Sequence, residues 1–291
     1  MRNIFILFLF LISIVAIAQN PIASFNAPAS SCRNENITLV NTSTNANTYE
    51  WDFCDTDLLT TPTVADRGVI TGSSASLDIR LAKDGDNWFG FVADAGGNKL
   101  VRFSFGNSLN NNPTFSNVNG FLTAAGVDIV QVNNEWFGIV SIFNFPSKII
   151  ILKFGNSLAN TPTTEEIILP SNTLLSPRTI RFSFYNNNYY VIAANSNQTA
   201  ITVIRLGNTL QGASATFKQI ITSNTWVGLE PVFDGSNLYL IAVNHGNQKP
   251  FLFNFGNDWF NDPVIQEINT LPIAEPSMVQ IEFEANAYHL L

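Results

Sequence analysis

The sequence predicts an all-β protein: a β-propeller of four-stranded blades about fifty residues long, preceded by a short β piece of different character. Three observations lead there. Of 291 residues only 14 are Lys or Arg and 22 are Asp or Glu, so long charged helices have little to be made from. Asn is abundant and apolar residues come in short alternating runs, which favours strands and tight turns. Finally, the chain nearly repeats itself: FSFGNSLNNNPT at 103–114 returns as LKFGNSLANTPT at 152–163.

The first element is a leader. Arg2 precedes an apolar run from Ile4 to Ala18, and small residues at Ala16 and Ala18 stand before Gln19. This is the pattern of a secretory signal peptide cut after Ala18. No later stretch approaches the ~18 apolar residues of a membrane span, so the expected product is exported, secreted or displayed at the cell surface, and not integral to a membrane once the leader is removed. The formal net charge is −8, with no cluster of Lys or Arg to offset it, and such a surface repels phosphate backbones. Nucleic acid is excluded as an expected partner.

Residues 19–55 form the second element. They hold the chain's two cysteines, Cys32 and Cys54, which in an exported protein most simply make one disulfide. Two cysteines without nearby histidine cannot fill a zinc shell. Residues 56–72 read as a linker and lead-in.

The repeats occupy residues 73–291. Gly106-Asn107, Gly155-Asn156, Gly207-Asn208 and Gly256-Asn257 follow one another at 49, 52 and 49 residues. Each closes an alternating run: KLVRFSF, KIIILKF, ITVIRL and PFLFNF. Upstream stand Trp88, Trp136, Tyr189 and Tyr239, each behind a polar turn cluster such as Asp84-Gly85-Asp86-Asn87 or Asn186-Asn187-Asn188. Another run, LDIRLA, VDIVQV, TIRFSF or EPVF, precedes each turn, and a weaker one follows each Gly-Asn. Four strands in about fifty residues make a propeller blade, which hides its two apolar faces only by stacking against neighbours around an axis. The repeated aromatics are then core between blades, and the glycines and asparagines are turns that need positive φ. A fifth unit begins at PSMVQIEF and breaks off at Leu291. Either the run around residues 63–72 completes a fifth blade, or the sequence is a fragment of a larger propeller. The unpaired edge of a half blade favours the fragment.

Two resemblances add to this. The period matches that of kelch-like propellers, without their paired glycines. Residues Pro21–Phe25, Ile37–Ser43 and Tyr49–Phe53 resemble the first half of a PKD domain, an Ig-like β-sandwich of exported proteins. That family's W-D-F-G-D-G signature is matched at Trp51, Asp52 and Phe53, with Cys54 in place of the first glycine. The resemblance implies a core role for Trp51 beside a Cys32–Cys54 bridge. An Asn-rich exported chain with a PKD-like piece also resembles the large surface proteins of Bacteroidetes-type bacteria, many of them associated with adhesion.

Chemistry is less visible. The two histidines, His245 and His289, fall in different units, and no nucleophile elbow, H-E-x-x-H, P-loop or dinucleotide fingerprint is present. Asp84, Asp86 and Asn87, and likewise Asp55-Thr56-Asp57, alternate oxygen ligands as calcium loops do, without the full calcium pattern. Apart from that calcium candidate no cofactor is expected. Carboxylates that meet at the axis could flank a glycosidic bond, and the candidates are Asp94, Asp128, Glu230 and Asp234. The expectation is therefore a secreted or surface-displayed binding and adhesion module, not an enzyme, whose propeller loops contact a glycan or a protein. A propeller-type carbohydrate-active enzyme, hydrolase or lyase, is the alternative, and a structural segment of a large adhesin is the third reading.

Overall fold

The computed structural model describes residues 22, 24–26, 40–45, 74–118, 120–211, 215–244, 249–268, 279, 281–284 and 287–290. The chain divides into two compact units, Met1–Pro62 and Thr63–Leu291. In the first, β1 (Phe25–Asn26) pairs antiparallel with β2 (Val40–Asn41), and a bridge joins Ile22 to Thr44. The leader, the 56–72 linker, both cysteines and the Trp51-Asp52-Phe53 stretch lie outside the described residues.

The second unit contains four antiparallel sheets of four strands, each in chain order from the axis outward. Blade one is β3 (Ser76–Asp84), β4 (Asn87–Asp94), β5 (Lys99–Gly106) and β6 (Thr114–Asn117). Blade two is β7 (Ala124–Val132), β8 (Glu135–Ile142), β9 (Lys148–Gly155) and β10 (Thr163–Glu166). Blade three is β11 (Pro177–Tyr185), β12 (Asn188–Asn195), β13 (Ala200–Gly207) and β14 (Thr216–Ile221), and blade four is β15 (Gly228–Phe233), β16 (Leu238–Asn244), β17 (Lys249–Gly256) and β18 (Val264–Glu267). A further hairpin, β19 (Ile281–Glu284) with β20 (Ala287–Leu290), begins a fifth repeat. The expected all-β propeller is present, with four complete blades and no helix among the described residues.

The doubled phrase now has a physical cause. Gly106, Gly155, Gly207 and Gly256 adopt φ of 68°, 71°, 87° and 65°, the left-handed region that side chains with a Cβ resist. Each glycine sits at a bulge: Trp88 pairs with Gly106 while Phe89 already pairs with Ser104, and blades two, three and four repeat the slip. The strand thereby bends into its corner. Asn111, Asn160 and Asn261 then donate their side-chain amides to the carbonyls of Phe105, Phe154 and Phe255, at 2.8, 2.9 and 2.9 Å. The phrase F-G-N-x-x-x-N is a corner that satisfies its own freed carbonyl.

Apolar side chains fill the spaces between blades. Phe91, Leu100, Trp136, Val140 and Phe154 join blades one and two. Ile139, Ile151, Ile180, Phe182 and Val191 join two and three, and Trp226, Leu229, Phe253, Phe255 and Trp259 join three and four. Polar bonds reinforce the seams: the Trp136 indole donates to Asp84 Oδ1 at 3.0 Å, and the Trp259 indole to Ser183 Oγ at 3.0 Å. Of the other repeated aromatics, Tyr189 is half-buried against Phe184, and Trp88 lies half-buried under the Lys83 ammonium. Val279, ahead of β19, packs on Val227 and Val243 of blade four.

Candidate active site

Inner strands β3, β7, β11 and β15 pack successively around the axis, and one register position of each carries a charge. Arg80 pairs with Phe91, Asp128 with Ile139, Arg181 with Ile192 and Glu230 with Ile241. Those four partners occupy the same place in their blades, three residues after Trp88, Trp136, Tyr189 and Leu238. Cation and anion therefore alternate around the ring, one from each blade.

The ring is bonded throughout. Arg80 donates Nε to Asp128 Oδ1 at 3.1 Å and Nη2 to Glu230 Oε2 at 2.9 Å. Arg181 donates Nε to the same Glu230 oxygen at 3.1 Å and forks onto Asp78, with Nη1 to Oδ2 at 2.8 Å and Nη2 to Oδ1 at 3.3 Å. Asp128 also accepts from the backbone N–H of Phe182 at 2.7 Å and of Ile129 at 3.0 Å. Asp78 accepts from Val127 N–H at 3.0 Å. The Arg181–Asp78 fork is sealed, with side chains 1 % and 0 % exposed; Arg80, Asp128 and Glu230 keep 14–16 %. Solvent reaches the Arg80 end of the cluster.

Burial sets the proton affinities. It pushes Asp128 up to about 6, against the pull of the Arg80 charge and the two backbone donors. It pushes Asp78 up to about 7, opposed first by Arg80 and then by the N–H groups of Val127 and Ile79. The ion pairs to Asp128 and Glu230 hold the Arg80 guanidinium above its ordinary value despite burial. Because both bond the one guanidinium of Arg80, the two carboxylate oxygens lie no more than about 8 Å apart, under the ~9.5 Å upper limit for pairs of carboxyl groups in glycoside hydrolysis.

Two of the four carboxylates singled out in the sequence, Asp128 and Glu230, are thus brought together, and two are not. Asp94 is a buried cap at the start of blade one, accepting from the backbone of Ser74, Ala75 and Gly97. Asp234 lies in the exposed β15–β16 turn, where the N–H groups of Asn237 and Ser236 hold it down to about 2. Asp84, a calcium candidate, accepts from Trp136, Ser157 and Leu158 of blade two, and Asp86 and Asn87 are exposed beside it. Among the described residues no three His, Cys, Asp or Glu side chains gather as a metal-holding group. His245 lies outside the described residues and His289 is in β20. The sequence reading missed Asp78, Arg80 and Arg181. The signal for Arg80 and Arg181 was register, a charge at one fixed place in each of the four inner strands; Asp78 stands two residues before that place in β3.

The molecule belongs by architecture to the β-propellers, and particular solved structures share that architecture. A thermostable family-43 glycoside hydrolase superposes with a TM-score of 0.56 at 10 % identity, covering 77 % of this chain and 94 % of that one. The GH43_1 enzyme from Xanthomonas citri superposes at 0.51 in its complex with xylotriose, at 7 % identity over 74 % of this chain and 80 % of that one. Its xylose complex superposes at 0.50, at 8 % identity over 76 % and 82 %. No family model and no curated relative matches the sequence. At such identities the likeness is one of fold. The order set by the sequence, where a non-enzymatic binding and adhesion module came first, is corrected on this finding: these three structures are of glycoside hydrolases, two of them holding sugar. Carboxylates that meet at an axis carry no local motif in the sequence; strands about a hundred residues apart bring Asp128 and Glu230 together on Arg80.

Proposed function

We propose that the propeller is a carbohydrate-active enzyme that hydrolyses glycosidic bonds, with Asp128 and Glu230 as its pair of carboxyl groups. The observation that carries this is their meeting on one guanidinium at the partly open end of the axial cluster. The two environments differ in the sense such chemistry requires. Asp128, raised to about 6, holds a proton in mildly acidic solution and can protonate a leaving oxygen. Glu230 faces two guanidinium groups, at 2.9 Å from Arg80 and 3.1 Å from Arg181. Arg80 occupies the space between them, so a sugar enters as the flexible arginine side chain swings away. As that cation leaves, Asp128 holds its proton more tightly. Export by the 1–18 leader, and the PKD-like, surface-protein character of residues 19–55, form part of the same reading and place the enzyme outside the cell, where polysaccharide is met.

The test is hydrolysis of xylotriose and a panel of aryl glycosides by the purified chain, beside Asp128→Asn and Glu230→Gln. Turnover is expected in the parent, with each substitution lowering kcat by about 10²–10⁴-fold. A parent that cleaves no glycoside, or variants as fast as the parent, would contradict the assignment.

A further inference from the structure

A second feature lies at the end of the propeller where the inner strands begin. There the β8–β9 turn, residues 143–147, faces the crossing from β10 to β11, residues 167–176, across a pocket of ≈ 170 Å³ lined by Phe145, Lys148, Glu166, Ile168 and Asn172 among others. This is below the ~300 Å³ of sites for drug-sized ligands, yet several times the ~30 Å³ share of one water. One sugar ring is the size that fits.

The lining combines an apolar platform with matched polar groups. Phe145 is 77 % exposed and Ile168 63 %, and the Phe145 ring stacks on no other ring among the described residues. A phenyl face held in water is a ready partner for an apolar C–H face. Asn172 stands exposed in the Pro170–Thr173 turn, and its carboxamide, donor and acceptor both, makes no hydrogen bond among the described residues. Lys148 and Glu166, on the neighbouring strands β9 and β10, pair at 3.0 Å with side chains 39 % and 47 % exposed. That pair presents a donor and an acceptor without net charge. An anionic ligand would meet Glu166 and a cationic one Lys148, whereas a neutral polyol satisfies both.

We propose that this rim pocket is a second saccharide site, which holds one ring of a neutral oligosaccharide on Phe145, with its hydroxyls bonded to Asn172 and the Lys148–Glu166 pair. It rests on the carbohydrate reading of the propeller, not on chemistry at the axis. No residue of the axial cluster lines it.

The experiment is an amide NMR titration of the full chain carrying Asp128→Asn, which suppresses turnover, with xylotriose and separately with trigalacturonate. Xylotriose is expected to shift residues 144–148 and 166–172, and Phe145→Ala or Asn172→Ala to weaken that binding by about tenfold. Both side chains are exposed, so thermal melts matching the parent will show that the fold is intact. Absence of xylotriose shifts at the rim, shifts confined to the axis, unchanged affinity in Phe145→Ala, or tighter binding of trigalacturonate would each overturn the proposal. If the parent hydrolyses nothing while the rim shifts persist, the axial assignment fails and the rim site stands.

Discussion

Arg181 and Asp78 lie 103 residues apart in the chain and form a two-pronged ion pair with almost no solvent contact. A buried pair of this kind is weak evidence of net stability, but removal of one partner strands the other. Arg181→Met should therefore destabilise the propeller by about 3 kcal/mol at pH 8 and by less at pH 5, where Asp78 can take a proton instead. Urea midpoints at the two pH values check this. The acids themselves impose a trend opposite to that of ordinary surface aspartates. An acid whose folded pKa is raised binds more protons folded than unfolded, so its share of stability is complete below the unfolded value and is lost as pH climbs through the folded one. For Asp128 that window runs from 3.8 to about 6, and for Asp78 from 3.8 to about 7. Asp128→Asn should shrink the difference in urea midpoint between pH 4 and pH 7 relative to the parent, and an unchanged difference would refute the assigned shift.

At the level of the strand, one position shows how blades depend on their neighbours. Ile79, Val127, Ile180 and Leu229 each stand one residue before the axial charge of their inner strand. Val127, Ile180 and Leu229 are fully buried beneath the preceding blade, while Ile79, in the first blade, is 45 % exposed and Leu81 51 %. Ile180→Ala should lower unfolding stability by about 2–4 kcal/mol and Ile79→Ala by under about 1 kcal/mol, measured side by side in urea. The strands themselves were legible because alternation, aromatic second strands and Gly-Asn corners are all local in sequence. KLVRFSF, KIIILKF, ITVIRL and PFLFNF fall within β5, β9, β13 and β17 almost residue for residue. The bulge beside each corner glycine was not legible, because it shows only in the pairing of Trp88 with Gly106 and its counterparts.

Across the whole molecule, the ring converts a repeat into a site. Each blade contributes at least one charged inner-strand side chain to the axis, and blade one contributes two, Asp78 and Arg80, so groups remote in sequence become neighbours through the fold. A search by residue type could name Asp128 and Glu230 but not bring them together, and it passed over Arg80 because one arginine in an apolar run advertises no chemistry. Aligned inner strands, by contrast, give the alternation of Arg80, Asp128, Arg181 and Glu230 at once. The most direct measurement is a double-mutant cycle on unfolding stability with Arg80→Gln, Glu230→Gln and the pair, residues 150 positions apart joined by a 2.9 Å ion pair. Blades one and four joined at the axis by this ion pair predict a coupling of about 1–2 kcal/mol between them. Additive effects, within about 0.3–0.5 kcal/mol, would show that blades one and four do not meet at the axis, and the proposed carboxylate pair would lose its geometry with them.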